Sequence, residues 1–146
     1  MTSQAPLKPA VVAWLRLLRG HAALRRVLDA QLQASHGLTA VGYEALLLLS
    51  RAGGGVLRRV DLARGLGLTA SGVTRLLDGL ERDGLVEKRI CSADARVSYA
   101  ALTEAGAARL EAASCSHSGS VRTLFEERYT AEELETLAEL LDRLPA

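Results

Sequence analysis

The chain has 146 residues, 49% of them hydrophobic but only 3% aromatic, enough for one domain whose core is Leu, Ala and Val, which favours helices over a β-sandwich. There is no run of about 18 apolar residues to cross a membrane, the opening MTSQAPLKPA lacks the plan of a signal peptide, and two distant cysteines make no disulfide framework, so the reducing cytoplasm is the expected compartment. The net charge of +1 hides a division: residues 1–50 and 51–102 each carry +3 and residues 103–146 carry −5, so a polyanion would have to meet the first two parts.

Residues 1–8 read as a loose polar tail. Pro9 suits a first helical turn, and the spacing predicts a helix from there to about Gln33, ended by Gly37. Val11, Leu15, Leu18, Ala22, Leu28 and Leu32 are its expected buried stripe, and Trp14 and His21 share one side. Thr39 opens a second helix, to about Ala52, whose LLLLS run is apolar nearly all round and belongs in the core. Gly53–Gly55 read as a turn, and Val56 and Leu57 as a short strand. A third helix covers about Val60 to Gly65, with Leu62, Ala63 and Leu66 inward and Gly67 as its break.

The stretch TASGVTRLLDGLERDG, Thr69 to Gly84, organises what surrounds it. Val73, Leu76, Leu77 and Leu80 make one apolar face, and Ser71, Thr74, Arg75, Asp78 and Arg82 lie opposite. Thr69 can cap the first turn, and Gly84 can close the last in a left-handed conformation with Leu85 folding back. Hydroxyls and an arginine at the positive end of a helix suit a phosphate or a base edge. The plainer reading of that face is a solvated surface. Helix, short Gly-containing turn and helix together have the layout of a helix-turn-helix.

LVEKRI, residues 85–90, alternates apolar and charged and reads as a half-buried strand; residues 91–96 have turn character, and Val97 to Leu102 return as a second strand. The hairpin is expected to carry Lys88, Arg89 and Arg96 at or near its tip, with Asp94 steadying Arg96 by charge. Thr103 begins a helix to about Phe125 whose serine-rich stretch 114–120 is expected to bend. Thr130 caps a last helix, 131–144, with Glu132 and Glu133 in its first turn and a stripe of Leu134, Leu137, Leu140, Leu141 and Leu144.

Helix-turn-helix, a hairpin with D-x-R, then L-T-x-x-G: the text DLARGLGLTASGVTRLLDGLERDGLVEKRICSADARVSYAALTEAG, residues 61–106, resembles the MarR family of transcription regulators, and the flanking helices agree in length and order. The resemblance implies a mainly α fold with a small β-hairpin wing. Residues 36–102 would form the winged helix-turn-helix lobe, and residues 1–35 and 103–146 the dimerisation helices of one compact domain. It implies a homodimer on the double-stranded DNA of a pseudopalindromic operator, with the helix over 69–84 in the major groove and the wing arginine in the neighbouring minor groove. DNA contacts would fall to Ser71, Thr74, Arg75, Arg89 and Arg96, with Asp94 positioning Arg96. Ala95 departs from the pattern, where the family often has a further arginine. The leucine stripes of the first and last helices, poorly covered in one subunit, agree with a dimer.

Members of the family often release DNA when a small aromatic or phenolic molecule binds, and Trp14 and Asp61 resemble positions used by a urate-responsive branch; Val60 stands where that branch has an arginine. Trp14, His21 and Asp61 are thus candidate ligand residues. The plainer reading makes Trp14 core and Asp61 a first-turn helix charge. Cys91 beside Lys88 and Arg89 is a candidate redox sensor, through a lowered thiol pKa, although redox branches of the family carry their sensing cysteine in the first helix, which here has none. Cys115 and His117 have too few partners for a metal site, and no metal or cofactor is expected. No Gly-rich phosphate loop or nucleophile–base motif points to an enzyme. A winged-helix module for protein partners is the competing reading, separable by salt dependence.

Overall fold

The computed structural model describes residues 6–145, so most of the tail expected over residues 1–8 lies outside it. Helix α1 (Pro9–His36) starts with proline in its first turn and stops at Gly37, whose φ of 63° closes the end with its N–H on the Gln33 carbonyl. Helix α2 (Ala40–Arg51) is capped by the Thr39 hydroxyl, which accepts from the Gly42 N–H. A single 3-10 turn at Gly53–Gly55 leads into β1 (Val56–Arg58) and α3 (Arg59–Leu66), which Gly67 ends at φ 64°. Helix α4 (Ala70–Arg82) follows, then β2 (Val86–Ile90), β3 (Ser98–Leu102), α5 (Glu104–Glu126) and α6 (Ala131–Leu141). Thr130 and Glu133 cap α6 reciprocally through side chain and backbone.

The three strands form one antiparallel sheet in the order β1-β3-β2. Val56 lies opposite Ala101, and Val86 opposite Leu102. The core gathers Leu32 from α1, Tyr43, Leu46 and Leu49 from α2, Leu62 from α3, Val73, Leu77 and Leu80 from α4, and Leu110 and Ala113 from α5. Each is an aliphatic or amphipathic residue on the inward stripe of its helix, as an aromatic-poor sequence requires.

Four expectations change. The stripe on α1 is not buried within the chain: Leu32 is buried and Leu15 and Leu28 are half-buried, but Val11, Leu18 and Ala22 are exposed. Helix α1 packs on α5 and α2, while its first half shares an open groove with the end of α5 and α6. Trp14, at 57% exposure, is therefore not a core residue of the single chain. Strand β2 does not alternate: after Val86 every residue is exposed, and Ile90 is 70% exposed, because no core lies beneath the distal hairpin. Helix α5 runs through 114–120 without a break. The Ser114 hydroxyl donates to the Leu110 carbonyl at 2.7 Å and that of Ser116 to Ala113 at 3.1 Å, so the serines are satisfied by their own helix. The last helix ends at Leu141, three residues early, with Leu140, Leu141 and Leu144 exposed.

Candidate nucleic-acid interface

The outward face of α4 is built by its own N-terminus. The Thr69 hydroxyl accepts the Gly72 N–H at 3.1 Å and lies 3.2 Å from the Ser71 hydroxyl. One turn on, the Thr74 hydroxyl gives its proton to the Ala70 carbonyl at 2.8 Å, so its free lone pairs can only accept. The Arg59 guanidinium reaches it from α3 at 3.5 Å. Arg75 is exposed and pairs with no carboxylate among the described residues. The opposite face, Val73, Leu77 and Leu80, is buried. Beyond Arg82 the helix closes as its spacing predicts. Gly84 has a φ of 73°, and Leu85 turns back to donate to the Leu80 carbonyl at 2.9 Å.

The chain then enters the wing. Cys91 N–H to the Val97 carbonyl at 2.9 Å closes the hairpin loop. Within it, one carboxylate oxygen of Asp94 accepts both the backbone N–H of Arg96 at 3.0 Å and its Nε at 3.2 Å. The Arg96 side chain is nonetheless 91% exposed, so Asp94 orients the guanidinium without burying it. Ser71, Thr74, Arg75, Asp94 and Arg96 thus sit as expected, on one helix face and on the loop of the adjoining hairpin.

The two cations of β2 are both paired with carboxylates, and Lys88 is set back from the tip. Lys88 lies mid-strand, opposite Ala100, and folds back onto α4, where its Nζ binds Asp78 at 2.5 Å and Glu81 at 3.0 Å. Arg89 pairs with Glu87 on its own strand at 3.0 Å. Both cations invoked beside the half-buried Cys91 thus have carboxylate partners of their own.

The ligand candidates separate. Trp14 and His21 line a groove of about 560 Å³ between the first half of α1 and Phe125, Tyr129 and the leucines of α6. Asp61 is not among its lining residues. Its two oxygens are held on α3 by Arg58 at 2.9 Å and Arg64 at 3.4 Å, and the Arg58 guanidinium keeps its carboxyl below the usual range.

Sequence reasoning passed over three features. Gly106 packs α5 against the end of α4 so closely that a Cβ there would stand 2.0 Å from the Leu85 carbonyl oxygen. The last residue of the L-T-x-x-G text was the available signal. His117 packs against Tyr43 with ring centroids 4.6 Å apart and planes tilted by 47°, and its Nδ1 is buried without a partner. It borders a cavity of about 270 Å³ lined also by Gln31, Ser35, Ser116 and Ser120. Nothing local in the sequence signals that meeting of α2 and α5. The third is the Lys88 pairing, which needs the helix and strand to be placed in space.

Known proteins agree with the geometry. The profile of the MarR family matches residues 36–97. An HTH-type transcriptional repressor of Bacillus subtilis, YetL, is 34% identical over 111 residues, 76% of this chain; the match spans 66% of that protein's own length. A MarR family transcriptional regulator from Streptomyces coelicolor, solved in complex with DNA, superposes with a TM-score of 0.83 at 27% identity, covering 97% of this chain and 89% of that one. A second S. coelicolor regulator of the family superposes at 0.81 with 30% identity, covering 92% and 91%. No described helix is long and apolar enough to cross a membrane. With helix-turn-helix, wing and flanking helices all in place, this chain belongs to the MarR family of transcriptional regulators.

Proposed function

We propose that the protein works as a homodimer in the cytoplasm, binding a pseudopalindromic operator and repressing transcription from it. The observation that carries the reading is the pairing of two exposed cations, Arg75 on α4 and Arg96 on the wing, on elements fixed to one another by the core and the hairpin. Donors at a helix N-terminus read base edges and phosphate in the major groove, and an arginine on a wing reads the shape and charge of the neighbouring groove. The relative bound to DNA and the repressor from B. subtilis support the same reading. Arg89 stands as an accessory contact, since binding DNA would require it to leave Glu87.

The dimer follows from the surface. Val11, Trp14, Leu17, Leu18, Leu140, Leu141 and Leu144 are each at least 38% exposed, on α1 and at the end of the chain. A contiguous apolar face of this kind is an interface in a stable protein. A second copy would cover it, bringing two copies of α4 to one duplex. Selection from a random DNA library tests the proposal. The expected product is an inverted repeat with half-sites about one helical turn apart; a single unrepeated motif, or no enrichment, would count against it.

Release by a small aromatic or phenolic molecule is a second reading, favoured by one observation: the buried, unpartnered His117 Nδ1 on a residue that lines a polar cavity between α1 and α5. A hydroxyl or carboxyl on a ring would satisfy that nitrogen. Titration of the DNA complex with benzoate- and phenol-type ligands tests it; release lost in His117→Phe supports this site, and release retained there but lost in Trp14→Ala would move the site to the groove on α1.

A further inference from the structure

The distal wing has no core beneath it. Leu85 and Val86 at its root are buried, while Glu87 to Ile90 are all exposed. Packing and the ladder to β1 therefore hold β3, while β2 beyond Val86 is an edge strand with no side chain packed beneath it. The ladder to β1 anchors β3 as far as Tyr99, opposite Arg58, and the side-chain tie from edge strand β2 to α4 is made by one residue. The Lys88 backbone N–H donates to Glu81 Oε1 at 3.1 Å, and its ammonium spans Glu81 Oε2 at 3.0 Å and Asp78 Oδ1 at 2.5 Å. Asp78 and Glu81 are three apart on α4, so they share a helix face. Without a cation between them they would repel.

We propose that Lys88 is a positioning residue that locks the wing to the C-terminal half of the recognition helix α4 and so sets the spacing between Arg75 and Arg96. This rests on the reading of α4 and the wing as the DNA-binding surface. The lysine holds both carboxyls below their usual range, and they raise its own pKa in return. The cluster is therefore fully ionised at neutral pH. Each pair alone is partly exposed and weak, as surface ion pairs are. Three bonds converging on one residue of a short hairpin restrict its angle in a way that one would not.

The alternative role for Lys88 is a phosphate contact, and the two roles differ in sign. Asp78→Asn and Glu81→Gln remove negative charge beside DNA. If Lys88 merely contacts phosphate, these variants free it and binding tightens. If it is a lock, they loosen the wing and binding weakens, by about three-fold each, with Lys88→Met about ten-fold weaker and Lys88→Arg within about two-fold of wild type. The lock also acts through Arg96, so in an Arg96→Ala background Lys88→Met should cost less than about two-fold more. Tighter binding by Asp78→Asn and Glu81→Gln, or an undiminished Lys88→Met loss in the Arg96→Ala background, would overturn the proposal. Amide hydrogen exchange across β2 and β3 in the free protein gives an independent reading: faster exchange in Lys88→Met is expected, and unchanged exchange would refute the lock. Failure of the wild-type protein to bind any DNA would instead remove the functional reading, leaving exchange to decide the lock itself.

Discussion

Gly106→Ala places a methyl group where α5 meets the end of α4. The added Cβ would stand 2.0 Å from the Leu85 carbonyl oxygen and 2.8 Å from a Leu102 methyl. Backbone cannot rotate aside as a side chain can, so α5 must retreat by about an ångström, and overpacking of this kind costs about 1–3 kcal/mol. The retreat also strains two hydrogen bonds at the same joint, Thr103 N–H to the Leu85 carbonyl at 3.2 Å and Thr103 hydroxyl to the Gly84 carbonyl at 2.7 Å. Each is worth about 1 kcal/mol. Against this stands a helix-propensity gain of about 1 kcal/mol for alanine over glycine. The net is a loss of about 2–4 kcal/mol, or roughly 10 °C in Tm for a domain of this size. Gly119→Ala is the control. It lies in the same helix with nothing within 4 Å of the added Cβ, so only the propensity gain applies and Tm should rise. Thermal unfolding of wild type and both variants at equal concentration is the assay. A Gly106→Ala protein as stable as wild type, or two variants shifting in the same direction, would refute the close-packed joint between the helix that leaves the wing and the helix that enters it.

Three further predictions follow from the site and the surfaces. Arg96→Ala should weaken binding to every DNA sequence and flatten the salt dependence by about one unit per subunit, whereas Arg75→Ala should relax preference at one base pair per half-site at a cost of about 1–3 kcal/mol; binding to a library of operator variants separates the two patterns, and exchanged patterns would reverse the assignments. Leu140→Glu puts a charge on the exposed apolar face of α6 and should give monomers in sedimentation, together with a red shift in emission from Trp14, the single tryptophan; a dimer of wild-type strength would place the interface elsewhere. Burial holds the folded-state pKa of His117 below its usual value, so the unfolded chain takes up the proton first as pH falls. Its contribution is complete above about pH 6.5 and is lost as pH drops toward the folded value. Tm measured from pH 7.5 down to 5 should therefore fall more in wild type than in His117→Phe, and parallel curves would show that the ring is not desolvated.

The helix-turn-helix and its boundaries were legible because each signal is local: threonine caps at residues 39, 69 and 103, glycine stops at 37, 67 and 84, and apolar spacing between them. Asp94 and Arg96 were legible for the same reason, being two residues apart in one turn. Partnerships across elements were not. Lys88 reads as a free wing cation until β2 is set beside α4, and Asp61 reads as a companion of Trp14 until Arg58 and Arg64 are seen to hold it. The stripe of α1 was a correct pattern with the wrong owner. Its first half is apolar, but within one chain the end of α5 and α6 cover it only in part, leaving Val11, Trp14, Leu17 and Leu18 exposed. The expected bend at 114–120 came from treating serines as helix breakers, although inside a helix their hydroxyls can bond back to the preceding turn.

The proposed function requires α4 and the wing to form a surface for duplex DNA. The most direct measurement is the affinity of the purified full-length protein for the DNA just upstream of its own coding sequence, against unrelated DNA, over a range of salt. The prediction is a specific complex of one dimer whose log affinity falls with log salt at a slope of about −4 or steeper, corresponding to at least four or five phosphates neutralised. Binding with a flat salt dependence would contradict that account. So would no binding at low salt to this DNA or to a random library, and either result would point the winged helix toward a protein partner.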